Sequence, residues 1–189
     1  MIAAPKIHPS KEPLVWMDLE MTGLDLNKEG IIEIATLITD GQLNILAEGP
    51  DLIIHQKPRL LKNMDAWNQA QHSKSGLVEL VKSSKISVKQ AEKETLEFIS
   101  RYCRPKKSPL CGSSIHHDRR FLIKYMPRLS DYLHYRHIDV STVKALVERW
   151  YPKDRALPKK KDAHRALSDL KESLEDLRHL REHYFRKEA

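Results

Sequence analysis

The sequence contains little cysteine and no long hydrophobic run, and both absences exclude classes of protein. Its 189 residues include two cysteines, Cys103 and Cys111, too few for a disulfide framework or a four-cysteine zinc site, which indicates a reducing compartment. No window approaches the roughly 20 apolar residues of a membrane span. Residues 1–13 contain three prolines and no apolar segment typical of a signal peptide, which predicts a flexible tail. We therefore expect a cytoplasmic protein without a membrane partner.

The composition favours one globular domain with an anionic partner. A chain of this length with 40% hydrophobic residues can bury one core, and we expect a single domain at 14–187. Lysine and arginine number 33 against 26 acidic residues, which gives a net charge of +7 and a pI near 9.3. Such a balance is typical of nucleic-acid-binding proteins. A soluble protein that is basic without binding an anionic partner is equally consistent with this net charge.

The first third of the chain has the pattern of β-strands, and a helical pattern follows it. Three apolar segments with a turn signal at Asp40-Gly41 predict an antiparallel meander of strands at 14–21, 31–40 and 43–56. From 67 to 103 the spacing of apolar residues is helical. Within that stretch, Ser87 and Gln90 have the spacing of a capping box.

In the rest of the chain, short strands alternate with helices. A short apolar segment at 108–114 predicts a strand, and a helical pattern at 118–126 follows it. A second apolar segment at 135–140 also predicts a strand, and it is followed by a helical pattern at 141–151 with Ser141 as the predicted N-cap. A lysine-rich loop leads to a last helix at 163–186, with leucines at helical spacing. The order predicts an α/β fold: a mixed five-stranded sheet, three antiparallel strands then two parallel ones, with helices on both faces.

The first strand carries two acidic residues on one face. Because alternate residues of a strand point to the same side, Trp16, Asp18 and Glu20 share a face, whereas the odd-numbered residues from 15 to 21 face the core. Two adjacent carboxylates repel and raise each other's pKa, and a divalent cation such as Mg²⁺ or Mn²⁺ removes that cost. The alternative is that the two acids lie at a strand end and are simply solvated. Judged from Asp18 and Glu20 alone, this alternative is slightly favoured.

Two further acids and a histidine extend the candidate site. Asp118 follows the strand predicted at 108–114, and Asp169 lies on the last helix, five residues after His164. Five residues turn a helix by roughly 140° beyond one full turn, so His164 reaches the same site only from an irregular first turn or the preceding loop. Taken singly, His164 is more typical of a surface histidine, and Asp169 of a solvated acid on a helix. His117-Asp118 is also typical of all-helical HD-class phosphohydrolases, against which the β-rich first third counts.

These residues together resemble a known family. Asp18, Glu20, Asp118 and the pattern His164-x-Ala-x-x-Asp169 resemble the DEDDh branch of the DnaQ-like 3′-to-5′ exonucleases, which have a ribonuclease H-like fold. Within that branch, the segments VWMDLEMTGLD, CGSSIHHDRRFLIKYMP and AHRALSDLKESLEDL resemble the oligoribonuclease family, and the resemblance covers residues 14–185. It implies a homodimer that hydrolyses very short single-stranded RNA, chiefly dinucleotides, to nucleoside 5′-monophosphates.

The resemblance also implies roles for individual residues. The four acids would hold two divalent ions, Mg²⁺ or Mn²⁺, and His164 would be the general base. Tyr135 would reach over from the second protomer and complete the catalytic site. The side chains implied to contact the bases or the 5′ phosphate are Leu24, Trp67, His72, Ser114, Arg136 and Ser141. Judged without the resemblance, Leu24 and Trp67 read as core residues, and Tyr135 and Arg136 as an ordinary strand start.

Two alternatives remain open at the level of sequence. The first is a related exonuclease that acts on longer RNA 3′ ends or on single-stranded DNA, which differs in length preference. The second is a non-catalytic RNA-binding module, which clustered carboxylates disfavour because they repel a polyphosphate. Lys159–Lys161 are expected to lie in a solvated loop, and attraction of substrate is a weaker alternative.

Overall fold

The computed structural model describes residues 12–152 and 165–185. His164, Lys159–Lys161 and nearly all of the predicted N-terminal tail lie outside these ranges. The elements in chain order are β1 (Leu14–Met21), β2 (Ile31–Thr39), β3 (Ile45–Ile53), α1 (Pro58–Lys62), α2 (Ala66–Lys74), α3 (Leu77–Ser83), α4 (Val88–Ile99), β4 (Leu110–Gly112), α5 (His116–Tyr125), α6 (Pro127–Tyr132), β5 (His137–Asp139), α7 (Val140–Trp150) and α8 (Ala166–Tyr184).

The five strands form one mixed sheet in the order β3-β2-β1-β4-β5. The pairs β1–β2 and β2–β3 are antiparallel, whereas β1–β4 and β4–β5 are parallel. This is the predicted arrangement of three antiparallel strands followed by two parallel ones. Every residue of β2 is buried, as expected for an inner strand covered on both faces.

Helices cover both faces of the sheet, as predicted. One face packs against α4, α5 and α6 through a core that includes Ala91, Phe121 and Leu129. The other packs against α7 and α8 through a core that includes Val140 and Leu170. No described helix is long and apolar enough to cross a membrane.

The faces of β1 differ from the prediction in one respect. Val15, Met17 and Leu19 are buried on the predicted core face. Trp16 on the opposite face is also fully buried, because it packs in the core beneath α8 and donates from Nε1 to the Thr39 hydroxyl at 3.0 Å. That face is therefore core at its start and polar only from Asp18 onward.

Several predicted boundaries shift in the structure. The stretch with helical spacing at 67–103 contains three helices, with Gly76 in a left-handed conformation (φ 74°) between α2 and α3. Ser87 caps α4 by accepting the Gln90 N–H. The N-cap of α7 is Asp139 rather than Ser141, because the Asp139 carboxylate accepts the Ser141 N–H.

The close approach of β4 to β1 brings the two parts of the site together. A Cβ atom added to Gly112 would lie 2.9 Å from the Met17 carbonyl oxygen and 2.8 Å from Ile115 Cδ1. Only glycine therefore fits without a shift of neighbouring atoms. The chain leaves β4 beside the middle of β1 and carries Asp118 into the first turn of α5. The carboxyl ends of parallel strands commonly build sites in this way.

Candidate active site

Three of the predicted acids converge at the carboxyl-terminal half of β1. One carboxylate oxygen from each of Asp18, Glu20 and Asp169 lies within 4.8 Å of the other two, and all three residues are half-buried. Asp18 and Glu20 come from β1, and Asp169 comes from the first turn of α8. The sheet and the helix thus place residues about 150 positions apart around one small volume.

Asp118 is fixed directly to the backbone of β1. Its side chain is buried, and Oδ1 accepts the Leu19 N–H at 2.9 Å. Leu19 lies between the two acids of the strand. Asp118 is outside the group of three converging oxygens, but it is close enough to be the second-largest cause, after burial, of the raised pKa of Asp18.

Burial and mutual repulsion strongly perturb these carboxyl groups. Burial, then the charges of Asp118 and Glu20, hold the pKa of Asp18 well above its ordinary value. Burial, followed by Asp169 and other acids nearby, raises the pKa of Glu20 to about 8. Burial raises the pKa of Asp118 to about 7, against the effect of the hydrogen bond from Leu19. Without a cation, the folded protein resists full ionisation of this cluster.

The donor set fits a hard divalent cation. Its groups are carboxylate oxygens, which Mg²⁺ and Mn²⁺ prefer. Their spacing allows one ion to contact oxygens of Asp18, Glu20 and Asp169. A bound cation would also remove the repulsion that raises the pKa of these groups, since it favours the charged form of each.

Ser114 and Ser141 lie together at the ends of β4 and β5. The Ser114 N–H donates to Asp139 Oδ1 at 2.9 Å and approaches the Ser141 hydroxyl at 3.0 Å. Ser114 adopts a left-handed backbone (φ 51°), which is uncommon for a residue with a side chain. Both serines are predicted to contact the 5′ phosphate.

Asp139 organises this serine pair, and the sequence analysis missed it. Its carboxylate also accepts the Ser141 hydroxyl at 2.7 Å and the Thr142 hydroxyl at 3.0 Å. Burial raises its pKa, but the hydrogen bonds from Ser141 and Thr142 lower the net value. The signal was the sequence Asp-Val-Ser-Thr, since Asp is a preferred N-cap.

Leu24 and Trp67 do not pack in the core. Their relative exposures are 52% and 61%, which excludes the reading of both as core residues and leaves them available to nucleobases. His72 differs, because it is buried and its Nε2 contacts the Met21 carbonyl oxygen at 2.9 Å. Its Nδ1 lies 4.0 Å from Glu20 Oε2. The described contacts of His72 thus support the end of β1, and its contact with substrate stays a prediction.

Tyr135 protrudes from the loop before β5. It is 72% exposed, and its ring contacts both sequence neighbours: the His134 ring stacks on it at 4.4 Å, and the Arg136 guanidinium lies 5.4 Å from its centroid. These contacts restrict the ring although most of its surface faces solvent. His164 lies outside the described residues, so its role as general base stays a prediction.

Comparison with known proteins identifies close relatives along nearly the whole chain. A family model described as Exonuclease matches residues 15–177. Oligoribonuclease of Haemophilus influenzae (strain PittGG) is 53% identical over 176 residues, which cover 93% of this chain and 97% of that protein. Oligoribonuclease of Marinobacter nauticus is 54% identical over 173 residues, 92% and 96% of the two chains.

The fold is shared with a more distant protein of known structure. The structure of S. pombe Pop2p, in a form with Mg²⁺ and Mn²⁺ bound, superimposes with a TM-score of 0.68 at 15% identity and covers 92% of this chain and 84% of that one. At this identity the likeness concerns the fold alone, and it agrees with the predicted ribonuclease H-like sheet. The much closer sequence relatives decide the family, and the chain belongs to the oligoribonuclease family of exonucleases, which makes it a nuclease.

Proposed function

We propose that the protein is a 3′-to-5′ exoribonuclease that uses two divalent ions, Mg²⁺ or Mn²⁺, to hydrolyse very short single-stranded RNA, chiefly dinucleotides, to nucleoside 5′-monophosphates. The observation that carries the proposal is the convergence of Asp18, Glu20 and Asp169 oxygens within 4.8 Å. The name of the H. influenzae relative and the Mg²⁺ and Mn²⁺ bound to Pop2p support the choice of substrate and ions.

The carboxylates would hold the ions, and the ions would lower the pKa of a bound water and neutralise charge on the leaving oxygen. Asp18 is central, since the charges of Asp118, Glu20 and Asp169 all act on it. Asp118, held by the Leu19 N–H, would complete the ligand set on the side of α5. Partial burial of the cluster favours binding of a cation, because the carboxylates are only partly solvated.

His164 would accept the proton of the attacking water, since imidazole exchanges protons near neutral pH. In the sequence it lies two residues before Ala166, where α8 begins, and five before Asp169. That separation is short enough for both to serve the same site.

The preference for short substrates would come from contacts at both ends of a dinucleotide. Leu24 and Trp67 are exposed apolar side chains against which bases would stack, and stacking is tolerant of base identity. Ser114, Ser141 and Arg136 would contact the 5′ phosphate. A substrate held at its 5′ end by these contacts would have a limited number of nucleotides between that phosphate and the carboxylates.

The proposal is tested with 5′-labelled RNA of two, four, seven and twenty nucleotides in Mn²⁺. We expect the dinucleotide to be hydrolysed fastest and the longest strand slowest, with all activity lost in EDTA and in Asp118→Ala. Glu97→Gln, which removes an exposed acid of α4, is the matched control and should keep wild-type rates.

Three other outcomes would contradict parts of this proposal. Equal rates at all lengths would contradict the short-RNA specificity and favour an exonuclease of longer RNA or single-stranded DNA. Hydrolysis unaffected by Asp118→Ala or by EDTA would contradict the catalytic role of the carboxylates. RNA binding without cleavage at any length would favour a binding module.

A further inference from the structure

Glu33 is a fully buried carboxylate that is not among the proposed metal ligands, although its charge contributes to the raised pKa of Asp18 and Glu20. It lies on β2 directly opposite Glu20 in the antiparallel register, and none of its surface reaches solvent. A buried charge is costly unless it is paired and hydrogen-bonded. Its partners therefore indicate what the residue does.

Two of its partners belong to the start of α8, and a third is Asp51 on β3, whose side chain is hydrogen-bonded to Glu33. Glu33 Oε1 accepts a hydrogen bond from Nε of Arg165 at 2.9 Å and lies 2.8 Å from Nη2 of the same guanidinium. Glu33 Oε2 accepts a hydrogen bond from the Ala166 N–H at 3.2 Å. Arg165 is the N-cap residue of α8, but its own side chain makes no capping bond. Glu33 thus caps α8 from another element, where a negative charge also complements the helix dipole.

The helix start connects directly to the carboxylate cluster. The Arg165 carbonyl oxygen accepts the Asp169 N–H at 3.0 Å, so Arg165 and Asp169 close the first helical turn. Asp169 contributes an oxygen to the group of three. A change in the position of this turn moves Asp169 relative to Asp18 and Glu20, which are fixed on β1.

Farther along, α8 has an ion pair to the sheet that serves for comparison. Lys171 Nζ lies 3.0 Å from Glu48 on β3, and both side chains are about half exposed. This pair also joins α8 to the sheet, but it lies beyond the first turn. An exposed pair of this kind contributes little to stability.

We propose that Glu33 is a positioning residue for hydrolysis, which fixes the first turn of α8 so that Asp169 stays in reach of Asp18 and Glu20. The kinetic part of this inference rests on the proposed function. The structural part concerns the helix start and the binding of metal, and it is measured independently of activity.

The test compares Glu33→Gln with Glu48→Gln. Hydrogen–deuterium exchange of the metal-free proteins should be faster at residues 165–170 in Glu33→Gln only. Calorimetric titration with Mn²⁺ should give weaker binding, and kcat on a dinucleotide should fall, each by about 10–100-fold, as for other residues that orient metal ligands. The KM should stay unchanged, because the substrate contacts lie elsewhere. Glu48→Gln should match wild type in all three measurements.

A second variant covers the case in which Glu33→Gln folds poorly. Arg165→Lys keeps the charge at the partly exposed end of the pair but loses the fork of guanidinium donors. It should change exchange, Mn²⁺ binding and kcat in the same direction by smaller factors.

Three results would overturn the inference. Unchanged exchange at the start of α8 would show that Glu33 does not hold it. A lower melting temperature with wild-type kcat and Mn²⁺ affinity would reduce Glu33 to a purely structural role. A rise in KM alone would indicate a contact with substrate instead. If wild type hydrolyses no RNA, the proposed function fails, whereas exchange and Mn²⁺ titration still decide the role of Glu33.

Discussion

The carboxylates of the site lie where an uncompensated negative charge is costly. Burial, more than repulsion, is the first cause of the raised pKa of Asp18, Glu20 and Asp118. Each group therefore holds its proton more tightly in the folded protein than in the unfolded chain. As the pH rises, the unfolded chain loses these protons at a lower pH than the folded protein does, so the free energy of unfolding falls.

We predict that the metal-free protein is more stable at pH 5 than at pH 8. The contribution of Glu20 is fully present below its ordinary pKa of 4.5 and is lost as the pH approaches about 8. Thermal unfolding in EDTA measures this, since each 1 kcal/mol lost lowers the Tm by about 2–4 °C in a chain of this size. Mn²⁺ should raise the Tm more at pH 8 than at pH 5, because it binds the ionised carboxylates.

The variant Glu20→Gln tests whether this pH dependence of the Tm comes from the carboxylate cluster. It removes a titrating group from the cluster, so the fall in Tm between pH 5 and pH 8 should become smaller. The exposed Glu97→Gln should keep the wild-type slope. A Tm in EDTA that rises over this pH range, or a slope unaffected by Glu20→Gln, would contradict the argument.

At the level of elements, the junctions between strands and helices build the site. The Asp139 carboxylate joins two of them, because it caps α7 and also accepts the N–H of Ser114 in the turn between β4 and α5. One side chain thus holds both serines that are predicted to contact the 5′ phosphate. Loss of this carboxylate should release the turn and the first turn of α7 together.

We predict that Asp139→Ala lowers kcat/KM for a 5′-phosphorylated dinucleotide at least about tenfold, roughly 1.4 kcal/mol. The effect should be much smaller for a dinucleotide without the 5′ phosphate. Loss of the cap should also lower stability by about 1 kcal/mol. Ser87→Ala removes the cap of α4 and should lower stability similarly without changing kcat/KM. Equal losses of kcat/KM with and without the 5′ phosphate would contradict a role of Asp139 in phosphate binding.

At the level of the whole molecule, Tyr135 is the most exposed aromatic side chain in the part of the chain that the structure describes. Stacking on His134 and the nearby Arg136 guanidinium restrict it before any partner binds. A restricted aromatic side chain is a common anchor of protein interfaces. This is consistent with the prediction that Tyr135 completes the site of a second protomer.

We predict that two inactive variants regain activity when they are mixed. Subunits of Asp118→Asn and Tyr135→Ala should exchange, and the mixed dimer then has one site with intact carboxylates and a Tyr135 from its partner. Hydrolysis of a dinucleotide after co-refolding measures the recovery. A mixture of Asp118→Asn with Glu20→Gln should stay inactive, since both sites of its mixed dimer lack an acid. Absence of recovery in the first mixture, with dimers present by sedimentation, would contradict the shared site.

The sequence by itself predicted a mixed sheet of three antiparallel and two parallel strands with helices on both faces, and it pointed to the acids Asp18, Glu20, Asp118 and Asp169, because hydrophobic periodicity and short motifs are local properties. It did not determine that Trp16 is buried, since that depends on α8, which lies 150 residues away in the chain. Likewise, Asp139 and Glu33 fell within strands predicted at 135–140 and 31–40, and the sequence assigned neither residue a role. Only tertiary structure decides their partners, because the Ser114 N–H and the Arg165 guanidinium approach them through packing of distant elements.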